Sequence, residues 1–128
     1  MIPKFRAWDK EYEDMHDVYC IDFHNKAVKT LDPMVGHCFW TTMQGKILMQ
    51  STGLTDRNGR EIFEGDIIKA TYHTVNDKGT EIEIVKVLGS VYFNYGAYYV
   101  DGYYFKELNN LEVIGNIFEN PELREDTE

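Results

Sequence analysis

The chain has 128 residues, a formal charge of −9, and 43% hydrophobic and 14% aromatic residues. That length means one domain, or two very small ones packed together, and the apolar content argues against disorder. The acidic balance argues against plain DNA or RNA binding, because phosphate neutralisation needs a basic surface. The charge is uneven: residues 1–50 carry 6 Lys+Arg against 7 Asp+Glu, and residues 51–128 carry 7 against 15.

Met1-Ile-Pro-Lys4-Phe-Arg6 runs straight into charged residues with no apolar h-region. The apolar runs fall far short of the ~20 residues of a membrane span. Cys20 and Cys38 are too few for a disulfide scaffold. A cytoplasmic protein with free thiols and no membrane contact is therefore expected.

In chain order, Lys4 to Trp8 alternates and predicts a short strand, with Phe5 and Ala7 on one face. Asp9 to Asp14 is a polar turn. Met15 to Phe23 predicts a second strand whose core face holds Met15, Asp17, Tyr19, Ile21 and Phe23. His24-Asn25-Lys26 turns into a strand from Ala27 to Leu31, and Asp32-Pro33 breaks the chain. His37 to Thr42 and Ile47 to Ser51 follow as strands, separated by a turn at Gln44-Gly45.

The segment from Gln50 to Ile68 stacks three turn devices. Gly53 precedes Thr55-Asp56, an Asx-turn pair. Asn58-Gly59 predicts a type I′ hairpin, in which both central residues need positive φ. Gly65-Asp66 then leads into a strand from Asp66 to Tyr72. A hairpin tip at Asn76-Asp77-Lys78-Gly79 joins it to Glu81–Leu88, and Gly89 marks a bend or bulge. Val91 to Tyr95 and Tyr98 to Val100 are strands, Asp101-Gly102 a turn, Phe105 to Asn110 a single helical turn, and Glu112 to Phe118 the last strand. Glu119 to Glu128 is an acidic tail that frays beyond Leu123.

Strands at spacings of about 8–12 residues with turns between them predict a small barrel. The expected fold is mainly β: a strand-rich N-terminal subdomain over 1–50, an SH3-like β barrel over 51–118, and the acidic tail over 119–128.

Three stretches taken together, Lys4-Phe-Arg-Ala-Trp-Asp9, Thr52 to Ile67, and Val113-Ile-Gly-Asn-Ile-Phe-Glu-Asn-Pro-Glu-Leu123, resemble the YopX-like proteins of bacteriophages and prophages. The resemblance spans essentially the whole chain. It implies an accessory protein of unknown molecular function that self-assembles, with an SH3-type barrel in its C-terminal part. It brings no catalytic residues.

Candidate chemistry is sparse. His16, Cys20 and His24 lie four apart, with His37-Cys38 as further soft ligands. On a strand, however, residues 16 and 20 stand roughly 13 Å apart, too far for one zinc. No Gly-rich elbow activates either cysteine, carboxylate pairs such as Glu61/Glu64 and Glu81/Glu83 read as solvated faces, and there is no Gly-x₄-Gly-Lys loop. No enzyme activity, cofactor or metal is expected. The best functional lead is aromatic: eight rings in the fourteen residues from Tyr92 to Phe105. A barrel this small cannot bury them all, so Tyr92, Tyr95, Tyr98, Tyr99, Tyr103 and Tyr104 form the candidate interaction surface. The rings read as a homo-oligomer contact or, equally, as packing onto the N-terminal meander, then as a peptide-binding groove; base stacking ranks last, because Lys106 is the one basic residue between positions 88 and 106. The expected function is a self-associating phage or prophage protein that contacts its own copies or a host or phage protein. The alternative is a nucleic-acid-associated or DNA-mimicking regulator.

Overall fold

The computed structural model describes residues 4–32 and 34–125. The chain divides into two compact units, one ending at Ser51 and the other beginning at Thr52. The predicted break at Pro33 and the last three residues of the tail lie outside the described residues.

Unit 1 is an antiparallel meander of β1 (Phe5–Asp9), β2 (Asp14–Asp22), β3 (Ala27–Asp32), β4 (His37–Thr42) and β5 (Lys46–Thr55). Its spatial order is β4-β3-β2-β1-β5. β1 lies between two partners, so Arg6, Ala7, Trp8 and Asp9 are all buried and the burial does not alternate as expected. Ala7, Val28 and Thr30 fill one face, while Arg6 packs with Met49 beside Trp8 on the other. The expected core face of β2 does not form. The register with β3 jumps between Val18 and Cys20, which makes Tyr19 the extra residue of a bulge. A bulge flips every side chain beyond it. Met15 and Tyr19 therefore part company with Ile21 and Phe23, and Phe23 is 72% exposed.

In unit 2 the end of β5 leads to β6 (Glu61–Phe63), then β7 (Asp66–Val75), β8 (Ile82–Asn94), β9 (Ala97–Val100) and β10 (Tyr103–Tyr104). A 3₁₀ turn (Phe105–Glu107), β11 (Asn109–Asn116) and a single helical turn, α1 (Glu122–Glu125), complete it. The main sheet has the order β10-β9-β8-β7-β11. The mainly β character is as expected. The SH3-like barrel is not seen as a closed object: the sheet is open, with β10 and β11 as its end strands. β10 pairs through two residues alone, and to β9.

Two predicted strands merge in β8, whose register runs through Gly89 without a shift. β8 pairs β7 up to Ser90 and β9 from Val91 onward, so it bends from one partner to the next rather than breaking. The core gathers Ile62, Ile68, Ala70, Val87, Val91, Val100, Phe105, Leu108 and Val113. β-Branched residues dominate it because they pack well on a pleated surface.

The turns follow their residues, with one exception. Asp101-Gly102 has φ of 49° and 82°, the two positive values of a type I′ turn, as does Tyr95-Gly96 at 49° and 79°. At Asn58-Gly59 only the glycine is left-handed, at φ 83°. The predicted two-residue turn is instead a three-residue loop. Asp56 N–H donates to the Arg60 carbonyl at 2.7 Å, and Gly59 N–H donates to the Asp56 carbonyl at 3.0 Å. This is a type I turn closed by an αL residue, the other common hairpin link.

Candidate functional site

The six candidate tyrosines fall in three places. Strand pairing sets Tyr92 opposite Tyr99 and Tyr99 opposite Tyr104. Their rings form a row across β8, β9 and β10, with centroids 5.7 Å and 5.8 Å apart. Tyr98 and Tyr103 point to the opposite face and pack on the core. Tyr103 sits 4.9 Å from Tyr72, and Tyr98 meets Phe93 edge-on at 5.1 Å. Burial, followed by the negative charge of Glu64, pushes the Tyr98 hydroxyl pKa upward. Tyr95 belongs to neither face: it tips the β8–β9 turn, 90% exposed. Alternation within the strands thus splits the cluster into an outward row, a core-facing pair and a tip.

A second group gathers in unit 1 that sequence spacing did not reveal. A cleft of about 610 Å³ opens among Asp9, Asp14, His16, Thr41, Phe39 and Lys46, with neighbouring residues completing the wall. β1 and β2 pair Asp9 with Asp14 and Ala7 with His16, which puts both acids and the imidazole on one face. His16 Nε2 lies 2.8 Å from Asp14 Oδ1. Asp9 Oδ1 accepts the Glu11 and Tyr12 N–H groups, while Oδ2 lies 3.7 Å from Lys46 Nζ. Burial works against the Asp9 charge more than any other single influence. The two N–H donors, Lys46 and His16 together outweigh it and hold the carboxyl below its ordinary pKa.

Asp9, Asp14 and His16 each place a ligand atom within 4.8 Å of the others. Oxygen and imidazole donors of this kind suit a divalent ion. Here the three side chains are engaged by one another, by the turn backbone and by Lys46. Lys46 Nζ also donates to Thr41 Oγ1 and to the Thr42 carbonyl. The arrangement ties the β1–β2 and β4–β5 turns together. Of the sequence's soft-ligand group, Cys20 and Cys38 are both exposed free thiols, and His16 turns to carboxylates rather than to either of them.

The turn-rich segment from Thr52 has a structural explanation residue by residue. Asp56, at the expected Asx position, is a buried anchor. Its Oδ1 accepts the Asn58 and Arg60 N–H groups, and its Oδ2 accepts that of Val113, each at 2.9 Å. Burial disfavours its charge most strongly, but the three donors prevail and lower its pKa. Arg57 N–H donates to the Leu111 carbonyl, so the loop is fastened to β11 at two points. Thr52 Oγ1 donates to the Ile62 carbonyl, and Asp66 Oδ2, fully buried, accepts the Phe63 N–H. At the end of β11, Asn116 Oδ1 accepts the Phe118 and Glu119 N–H groups, while Asn120 Oδ1 accepts that of Asn116. These side chains satisfy backbone N–H and C=O groups of the turns and strand ends.

Two antiparallel sheets with hardly any helix define a mainly β protein, and no helix among the described residues is long and apolar enough to cross a membrane. The chain matches the YopX protein family over residues 4–125, and it belongs to that family. Among solved structures it is similar to protein EF1440 from Enterococcus faecalis. The two share 30% identity over 96% of this chain and 98% of that one, with a TM-score of 0.66. It is also similar to protein yopX from Bacillus subtilis, at 21% identity over 94% of this chain and 96% of that one, with a TM-score of 0.56, a likeness of fold alone. No curated protein matches it.

Proposed function

We propose that this YopX-family chain is a non-enzymatic accessory protein of a phage or prophage, located in the host cytoplasm, that self-associates and acts through protein–protein contacts. The outward row of Tyr92, Tyr99 and Tyr104, together with Tyr95 exposed at the β8–β9 turn, carries the reading. Tyrosine offers a large apolar body with a polar end, so it serves partly wet contacts well. The order β10-β9-β8-β7-β11, with a 3₁₀ turn before the last strand, supports reading unit 2 as an opened SH3-like fold. Aromatic surfaces on such folds take segments of other proteins. A non-catalytic role is supported by the charged cleft of unit 1, where the titratable groups are occupied with one another and with turn backbone.

The test is Tyr92→Glu combined with Tyr95→Glu, two exposed positions, with solution mass read by light scattering and folding by circular dichroism. The expected result is a folded protein of smaller mass, or one that no longer retains its protein partner. Unchanged mass and partner retention would remove the tyrosine row from the account.

A further inference from the structure

The outer side of β4 has no partner strand among the described residues. Edge strands are ordinarily protected by charge, proline, a bulge, shortness or a covering segment. The edges in unit 2 show such devices, β6 by its length of three residues. β10 is two residues long. β11 is covered by the 56–60 loop through Arg57 and Asp56. The outer side of β8 carries Glu83 and Lys86.

From His37 to Thr41, the backbone edge of β4 has none of them. Its sequence, His-Cys-Phe-Trp-Thr-Thr, contains no Lys, Arg, Asp, Glu or Pro. Its pairing with β3 runs unbroken from Thr42 to His37, so it is regular. Phe39 and Trp40 project from opposite faces and are 50% and 53% exposed. Alternate residues turn their N–H and C=O groups away from β3 and leave a template for another strand.

We infer that a second copy of this chain pairs with β4 edge to edge, antiparallel, to make one continuous sheet across the two unit 1 meanders. The inference extends the self-association part of the proposed function to a surface apart from the tyrosine row. Charge favours a second copy at this place. Unit 1 carries 6 Lys+Arg against 7 Asp+Glu, whereas unit 2 carries 7 against 15. Copies meeting through unit 1 avoid most of the repulsion that meeting through unit 2 would bring. β4 is itself what its edge accepts: an extended, uncharged strand with aromatic side chains.

Symmetry restricts the register. A two-fold axis perpendicular to the sheet keeps each residue on its own face, so opposed residues must differ by an even number of positions. The Thr42 carbonyl is already taken by Lys46 Nζ at 2.8 Å, which favours pairing over His37 to Thr41. That centres the axis on Phe39. Phe39 then meets its own counterpart, and Trp40 lies against Cys38 of the second copy.

Solution mass and cross-linking test this. The full chain is expected to sediment as a dimer or a multiple of one, and Trp40→Lys, with circular dichroism unchanged, to halve that mass. Cys38→Lys is the second variant should the first lose structure. In a Cys20→Ser, Cys38→Ser background, Phe39→Cys should give a covalent dimer on mild oxidation, because directly opposed residues lie within disulfide reach. Thr42→Cys should not. A full chain that is monomeric would overturn this inference and the self-associating reading together. An oligomer whose mass withstands both lysine variants, or a Phe39→Cys chain that stays uncrosslinked, would overturn the inference alone and leave the tyrosine row as the contact.

Discussion

The two units satisfy their backbones in different ways. Unit 2 fastens its loops with buried or half-buried side chains: Asp56 holds β11, Asp66 holds the turn after β6, and Asn116 and Asn120 hold the chain as it leaves the sheet. Unit 1 is a plain meander, and its polar groups cluster at the turns around Asp9 and Lys46. Unit 2 also guards its edges, whereas unit 1 ends in the bare β4. The residues that carry the YopX resemblance around Thr52–Ile67 and Val113–Leu123 are thus the fasteners of unit 2. Resemblance in this chain reports architecture, and the unguarded surfaces have to be found from the structure.

Removing a fastener breaks that comparison most directly. Asp56→Ala leaves the Asn58, Arg60 and Val113 N–H groups without their acceptor and should cost about 3 kcal/mol. Hydrogen exchange should show lost protection along β11 and the 56–60 loop, with β1 to β4 little changed. Equal loss in both units would mean that they unfold as one and that the contrast has no thermodynamic content. Acid should reveal the same anchor. The folded-state pKa of Asp56 lies below its ordinary value of 3.8, so its stabilisation is full above that value and is lost as pH falls through the depressed one. Asp9 in unit 1 has the same sign. Asp56→Asn should therefore flatten the acid limb of unit 2 below about pH 4 and leave that of unit 1 in place. A limb that keeps its slope would show that other carboxylates control it.

A smaller effect is expected at Gly115. A Cβ there would stand 2.5 Å from Asn120 Oδ1 and 3.0 Å from Leu123 Cδ1. Asn120 would have to move and release the Asn116 N–H it accepts at 3.2 Å. Gly115→Ala should cost about 2 kcal/mol, read from the shift of a urea transition. An unchanged midpoint would show that Asn120 swings aside freely and is not a fastener.

Much of the strand plan was legible because it rests on local chemistry. β1, β3, β4 and β9 fall where alternation and turn residues put them, and Asp101-Gly102 turns as its residues require. What stayed hidden depends on partners. The bulge at Tyr19 leaves no mark in composition, yet it decides which side of β2 is covered. Gly89 read as a bend or bulge between two separate strands; there is no bulge, and the two strands are one. β8 continues because β7 holds it on one side up to Ser90 and β9 takes over after that. The tyrosine cluster was visible as composition, but its division needed the register. The Asp9–Asp14–His16 group was invisible because strand pairing, and not spacing, brings it together. The bareness of β4 could be read only once it was known to be an edge.

The smallest expected effect separates the two readings of the 56–60 hairpin. In a type I′ turn Asn58 and Gly59 would both sit at positive φ, and valine at either position would strain the backbone alike. In the three-residue loop observed, only Gly59 does, at φ 83°, with nothing within 4 Å of the position its Cβ would take. Gly59→Val should then cost about 1 kcal/mol or somewhat more, from backbone strain alone, because there is nothing for the side chain to strike. Asn58→Val should cost less, since the Asp56 carboxylate meets the Asn58 backbone N–H and not its side chain. Chemical denaturation of the two single variants side by side decides it. Equal losses would restore the two-residue turn, and a loss confined to Gly59 would fix the loop as a type I turn pinned by Asp56.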